Sequence, residues 1–302
     1  MRRADSNGFL RRAVGAARRR HPTVRFAIAG LGLLVLAQPA AAQTRVSAGL
    51  DYWSDYFWRG FSFYGDESSP RGVLFPWVAA SWKQLSFSVV GEVPESMFGG
   101  KPNSTEKAWV GVDFILSGEA SLLDDRLAVG GRTAYFLYPN SRHENDDDGR
   151  NDFAELAAWI QLPKLPLRPR LEYSQYFRVD DRGGEQDVYE DIYLRFSLEH
   201  GFEPLEHLLV STRGSIAYFW YPSSKYWNDP DEGGHGDDYR GLSDIVASIG
   251  LSTDYWRGFT PKLGLNVAYV PDRDFYRVWG RDQRWHAWVT AGVSYAWSLD
   301  GP

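Results

Sequence analysis

Near its end the chain reads TAGVSYAW, Thr290 to Trp297, and only Ser-Leu-Asp-Gly-Pro follows. On an extended backbone successive side chains point to opposite faces. Val289, Ala291, Val293, Tyr295 and Trp297 then share one face, while Thr290 and Gly292 lie on the other. One face is apolar and finishes on two large rings; the other is small or polar. This spacing predicts a strand between two unlike environments.

The same alternation recurs upstream. RVSAGLDYW sets Val46, Ala48, Leu50 and Tyr52 against Ser47, Gly49 and Asp51. LSFSVVGEV sets Leu85, Phe87, Val89 and Val93 against Ser86, Ser88 and Glu92. LRPRLEYSQYFRV places Leu167, Leu171, Tyr173, Phe177 and Val179 opposite Arg168, Arg170, Glu172, Ser174 and Arg178. VYEDIYLRFSL places Ile192, Leu194, Phe196 and Leu198 opposite Asp191, Tyr193, Arg195 and Ser197. About twelve such segments begin near residues 45, 72, 85, 106, 127, 153, 167, 188, 208, 242, 262 and 285. Each is long enough for the ~9–11 residues of a tilted transmembrane strand.

The connections alternate too. KQ (83–84), PKLP (163–166), EHGFEPLEH (199–207) and DYWRGFTP (254–261) are compact. GFSFYGDESSPR (60–71), PNSRHENDDDGRN (139–151) and YPSSKYWNDPDEGGHGDDYRG (221–241) are long and polar. Short turns on one side and long loops on the other predict an all-β fold, a transmembrane antiparallel up-and-down β-barrel of about 12 strands. An even count leaves both termini at one end. A soluble β-sandwich also buries one face of each strand, but it does not account for the loop asymmetry. Pro169, inside a predicted strand, calls for a bulge or a strand end, because proline cannot donate to the ladder.

Composition agrees. The chain is 16% aromatic, with 13 Trp and 17 Tyr, and such rings concentrate at membrane–water interfaces. Residues 1–42 form an expected cleaved signal peptide: an arginine-rich start, the apolar run FAIAGLGLLVLA (26–37), and QPAAAQ with cleavage between Ala42 and Gln43. That run is shorter than the roughly 20 residues of a membrane helix. The barrel then occupies 43–302. Without the leader's eight arginines and Asp5, 25 basic and 38 acidic residues remain, which argues against nucleic acid as a partner. The chain has no cysteine, hence no disulfide, thiol chemistry or lipid-modified cysteine anchor.

Two stretches resemble known bacterial families. Thr290, Gly292, Tyr295 and Trp297 resemble the C-terminal recognition signal of outer-membrane barrels, which the barrel-insertion machinery reads by strand addition. The five residues after Trp297 depart from members that end on the aromatic. SDYFWRGFS, with Ser54, Asp55, Tyr56, Trp58, Arg59 and Gly60, resembles the opening of a poorly characterised family of outer-membrane porins. That resemblance covers the leader, the first strand and the first loop. It implies an outer-membrane location and a pore, and it brings no catalytic residues. Tyr56 and Trp58 are expected in an outer aromatic girdle, Asp55 and Phe57 inward, and Arg59 paired with Asp55 or stacked on a ring. A partial echo, DYWRGF (254–259), falls in a predicted short turn at the opposite end.

Period two also names the lumen residues. Glu92, Asp113, Arg132, Glu155, Arg168, Arg170, Glu172, Arg178, Asp191, Arg195, Arg213 and Asp244 are the expected pore-lining charges. Opposed charges set selectivity in a channel, or pair across a filled bore and hold it rigid. About twelve strands lie between the side-chain-filled barrel of ~8 and the aqueous channel of 16–18. The expected function is a porin or channel for passive or weakly selective passage of small solutes. The alternatives are an outer-membrane barrel hydrolase and a non-conducting adhesin or structural barrel. The mature chain's histidines are His143, His200, His207, His235 and His286, and no nucleophile motif accompanies them. No catalytic residue, metal site or cofactor is assigned; NDDDG (145–149) lacks the spacing of a calcium loop. The expected partners are outer-membrane lipid, lipopolysaccharide, the insertion machinery and small solutes.

Overall fold

The computed structural model describes residues 44–59, 61–62, 72–99, 110–139, 152–179, 191–221, 239–256, 258–272 and 284–299. The predicted leader and its cleavage site lie outside them. Twelve antiparallel strands hydrogen-bond in a closed ring. In chain order they are β1 (Thr44–Trp53), β4 (Val73–Trp82), β5 (Leu85–Pro94), β6 (Gly111–Leu122), β7 (Leu127–Leu137) and β8 (Asp152–Gln161). Then come β9 (Arg170–Val179), β10 (Asp191–Leu205), β11 (Leu208–Tyr221), β12 (Tyr239–Thr253), β13 (Phe259–Tyr269) and β14 (Trp285–Ser298). A two-strand hairpin, β2 (Phe57–Trp58) and β3 (Phe61–Ser62), interrupts the first connection, and one helical turn, α1 (Ser96–Gly99), follows β5. Both ends of the ring meet where β1 pairs with β14, from Arg45↔Ser298 to Trp53↔Thr290.

Side-chain direction follows the predicted alternation. Leu50, Val78, Phe87, Leu194 and Leu265 point outward and are about as exposed as one another, from 40% to 51%. A water-facing surface does not keep so continuous an apolar band; lipid accepts it. All backbone donors and acceptors of a closed ring find partners within it, which a bilayer demands. On β14, Val289, Tyr295 and Trp297 are exposed outward, with Tyr295 stacked on Trp297 at 5.9 Å, while Thr290 and Gly292 face the bore. The rings thus sit at the end where both termini and the short turns lie.

Leu265 tests the lipid-facing assignment. It lies midway along β13, flanked across the ladder by Ile249 and Val289. Leu265→Arg is expected to lower the unfolding free energy in lipid vesicles by about 2–4 kcal/mol, the depth-dependent penalty for a cation on a barrel's outer face. Urea titration of the refolded barrel measures it, and an unchanged midpoint would place this face in water.

Two prolines explain strand boundaries. β9 starts at Arg170, so Pro169 belongs to the preceding turn and needs no bulge. There its carbonyl accepts a bond from the Leu162 amide at 3.0 Å. β10 runs on through the predicted 199–207 turn to Leu205, and its register with β11 shifts between Phe202 and Leu205, around Pro204. A bulge absorbs the missing donor there. Two glycines are space-makers. Gly130 lies opposite Trp159, whose indole occupies the room a side chain would take. Gly292 lies between Asp51 and Lys262, letting their ion pair (2.8 Å) close across an intervening strand.

Candidate functional site

The site begins where β1 ends. Instead of continuing outward, the chain turns into the bore at Ser54. The Ser54 amide donates to the Val289 carbonyl (2.9 Å), and the Ser54 hydroxyl accepts from the Val289 amide (2.9 Å), which pins the start of the excursion to β14. The β2–β3 hairpin follows, with Arg59 at its turn in the left-handed region (φ 50°). Arg59 donates to Glu155 on β8 at 3.0 Å. Its guanidinium carbon lies 3.9 Å from the Tyr176 ring on β9 and 4.3 Å from the Tyr193 ring on β10. β9 is six strands from β1 in either direction round the ring. The hairpin therefore spans the full width of the barrel.

Its other side chains hold the remaining walls. The Tyr56 hydroxyl donates to Glu92 on β5 at 3.0 Å. Phe57 stacks on Trp288 at 5.1 Å and lies against His286 at 4.8 Å. It belongs to a buried cluster with Tyr193, Ala217, Phe219, Ala268 and Val270. Asp55 approaches His286 at 3.7 Å. This overturns the girdle expectation for Tyr56 and Trp58: both turn into the lumen, where polar partners and ring faces are available, and Trp58 packs edge-on against Tyr176 at 5.2 Å. Ring stacking of Arg59 is as expected, but its carboxylate is Glu155, not Asp55. Gly60 lies outside the described residues.

Two zones follow. The crossbar layer is dry: Asp55, Phe57, Glu92, Asp113, Glu155, Asp244 and His286 are all buried. On the wall from β7 to β11, Arg132, Arg170 and Arg195 keep 32%, 26% and 25% of their side chains exposed, and Arg213 is exposed. Glu155 accepts from Arg132 Nε at 3.1 Å and from the Tyr176 hydroxyl at 2.6 Å, in addition to Arg59. Glu172 accepts from Arg170 at 2.7 Å and from its cross-strand neighbour Arg195 at 3.0 Å, with Arg132 3.8 Å away. Buried carboxylates are costly alone, and here the arginines surround them.

Acid collects elsewhere in the ring. Glu92 accepts from Tyr56 and from Tyr138 (3.0 Å), and Asp113 faces inward on the next strand. On β12 a bulge at Ser243 breaks the register with β11. Ser243 and Asp244 are consequently both buried, and the serine hydroxyl donates to its neighbour's carboxylate at 2.8 Å. A classic bulge lets consecutive side chains share a face in this way.

Of the predicted lumen charges, Arg132, Glu155, Arg170, Glu172 and Arg195 are brought together. Glu92, Asp113 and Asp244 face inward on other strands, and Arg213 faces inward without joining the ion-pair cluster. Arg168 is a correction: it sits exposed in the 162–169 turn (φ 38°) because Pro169 delays the strand. Arg178 and Asp191 lie on β9 and β10, but their side chains lie outside the described residues. Tyr176, Trp159 and Tyr138 were missed. The first two stand at inward positions of the same period-two pattern, and reading the alternation by register instead of by charge finds them.

His207 contacts Asp254 at 2.9 Å in the short-turn region, with Glu206 at 3.6 Å, and both histidine and aspartate are exposed. His143 and His235 lie outside the described residues, as does NDDDG. Among the described residues no group of three histidines or carboxylates is placed to hold a metal ion.

No family model and no curated protein matches the sequence. Solved structures that the chain resembles include the NanC porin, at 12% identity over 83% of this chain and 98% of that one, with a TM-score of 0.47. The KdgM porin follows at 9% identity, 83% and 98% coverage and a TM-score of 0.44. An outer-membrane channel from Pseudomonas putida F1 shows 8% identity, 86% and 97% coverage and a TM-score of 0.44.

Proposed function

We propose that the chain is an outer-membrane channel for small solutes, its bore narrowed by its own first loop. The observation that carries this is a closed ring, greasy outside, whose inner wall from β7 to β11 bears charged side chains with part of their surface exposed. Charge of that kind on the inside of a membrane barrel is how pores select their cargo. The leader at 1–42 delivers the chain, the β14 signature hands it to the insertion machinery, and lipid and lipopolysaccharide surround it. Arg132, Arg170, Arg195 and Arg213 are the proposed lining, with Glu155 and Glu172 buried behind them and Glu92, Asp113 and Asp244 packed into the walls, and passage past the crossbar is the narrow step.

Recording in planar lipid bilayers tests the reading. Purified, heat-modifiable protein is expected to give discrete single-channel steps. Silence across a wide voltage range, from protein shown to be inserted, would overturn it.

A further inference from the structure

We infer that the β7–β11 wall is a binding site for small organic acids, with Arg170, Arg195 and Arg213 as its carboxylate-holding residues and Arg132 behind them. The starting point is an imbalance of charge. Among the described residues, Arg59, Arg132, Arg170 and Arg195 share only Glu155 and Glu172 as ion-pair partners. Arg213, on the adjoining strand, makes no ion pair or hydrogen bond among the described residues, and its guanidinium is exposed to the lumen. Its cross-strand neighbour, Glu199, attracts it without reaching ion-pair distance. This arc of the wall holds more cation than its own carboxylates neutralise.

The donors are also under-used. A guanidinium offers five N–H groups. The bonds from Arg170 and Arg195 to Glu172 both use Nη2, and Nε of each arginine is buried without any partner. An arriving oxyanion would instead meet the exposed part of each side chain, 26% for Arg170 and 25% for Arg195, through guanidinium N–H groups that Glu172 leaves unused. A planar carboxylate matches the fork of an arginine, and two carboxylates on one solute would span neighbouring strands, which lie ~5 Å apart. The ligand's skeleton also has a surface to lie on. Trp159 faces the bore beneath Arg170, whose guanidinium carbon is 4.3 Å from the ring, and its indole nitrogen is fixed on Glu119 at 2.7 Å. The edge of that indole beside several guanidinium groups favours an organic acid with more than one carboxylate over a bare inorganic anion.

The site deepens the channel reading and rests on it for the solute's route, but binding is measured separately from conduction. Citrate and inorganic phosphate are titrated calorimetrically into the folded barrel in detergent, for wild type, Arg213→Gln and Arg195→Gln, with heat-modifiable mobility as the folding control. Citrate is expected to bind the wild type, about tenfold more weakly to Arg213→Gln, as the loss of one charge-assisted donor implies. Arg213 makes no ion pair or hydrogen bond among the described residues, so this variant is expected to fold normally. Equal citrate affinity in wild type and Arg213→Gln, or no citrate binding at all, would overturn the site. Phosphate binding as tight as citrate would overturn the organic-acid assignment. In bilayers, citrate is expected to block wild-type current and to block Arg213→Gln several-fold less. A barrel that binds citrate through Arg213 but never conducts would keep the site and remove the channel.

Discussion

Arg59→Ala is expected to raise the unitary conductance several-fold and to make it noisier, because the tip of the crossbar loses its far-wall attachment. The Arg59 side chain is 7% exposed, and its guanidinium shares Glu155 with Arg132 and Tyr176. Removing one member of a buried pair costs about 3–5 kcal/mol, and each desolvated ring contact adds up to roughly 2 kcal/mol. Ser54, Tyr56 and Phe57 still hold the base of the excursion, so the barrel itself is expected to survive. Arg59→Lys keeps the charge without the planar face and is expected to fall between. Single-channel recording beside thermal unfolding checks both effects. Conductance unchanged in Arg59→Ala would mean that the crossbar is not the narrow point.

Glu155→Gln is expected to cost stability on a similar scale. It leaves Arg59 buried without its carboxylate and Arg132 with only the longer contact to Glu172. The expected loss is again about 3–5 kcal/mol, because an uncompensated buried charge is what makes such deletions expensive. Arg59→Met combined with Glu155→Met is expected to cost less than the two single changes added together, since the double variant buries no orphan at that position. Urea unfolding of the four proteins measures that coupling. Additive losses would show that Arg59 and Glu155 act independently. Glu155→Gln is also expected to shift the reversal potential in a salt gradient toward anions, by removing one of the two carboxylates within the arginine wall.

Much of the architecture was legible in the sequence because it rests on local rules. Alternation reports which side of a strand a residue occupies, and the inward sets Glu92, Arg195 and Thr290 follow from it directly. The strand starts expected near 85, 127, 208 and 285 coincide with β5, β7, β11 and β14. The start expected at 167 is too early, and Arg168 goes with it, because Pro169 cannot donate to the ladder and delays the strand to Arg170. The expected turn at 199–207 vanished into β10 because a bulge carried the strand past Pro204.

The hairpin is a different case. Tyr56 and Trp58 have the chemistry of girdle residues, and nothing adjacent to them says otherwise. What draws them inward lies far along the chain: Glu92 is 36 positions from Tyr56, and Glu155 is 96 from Arg59. The same holds for the aromatic richness. Trp53, Trp58, Trp159, Trp288, Tyr138, Tyr176 and Tyr193 line or fill the bore, so only part of that abundance belongs to the membrane boundary. Composition counts rings; register decides where they go.

The pairing of β1 with β14 has a consequence for how the molecule is made. The two partners are the first and the last strand of the ring, so the cylinder has no seam to zip until β14 has been delivered. The hairpin behind β1 is among the first parts delivered, yet its anchorage on β8, β9 and β10 must wait for them. A chain cut short before Trp285 would leave two raw edges and a crossbar without the Ser54 and Phe57 contacts that hold its base. It would therefore be an open, sticky sheet.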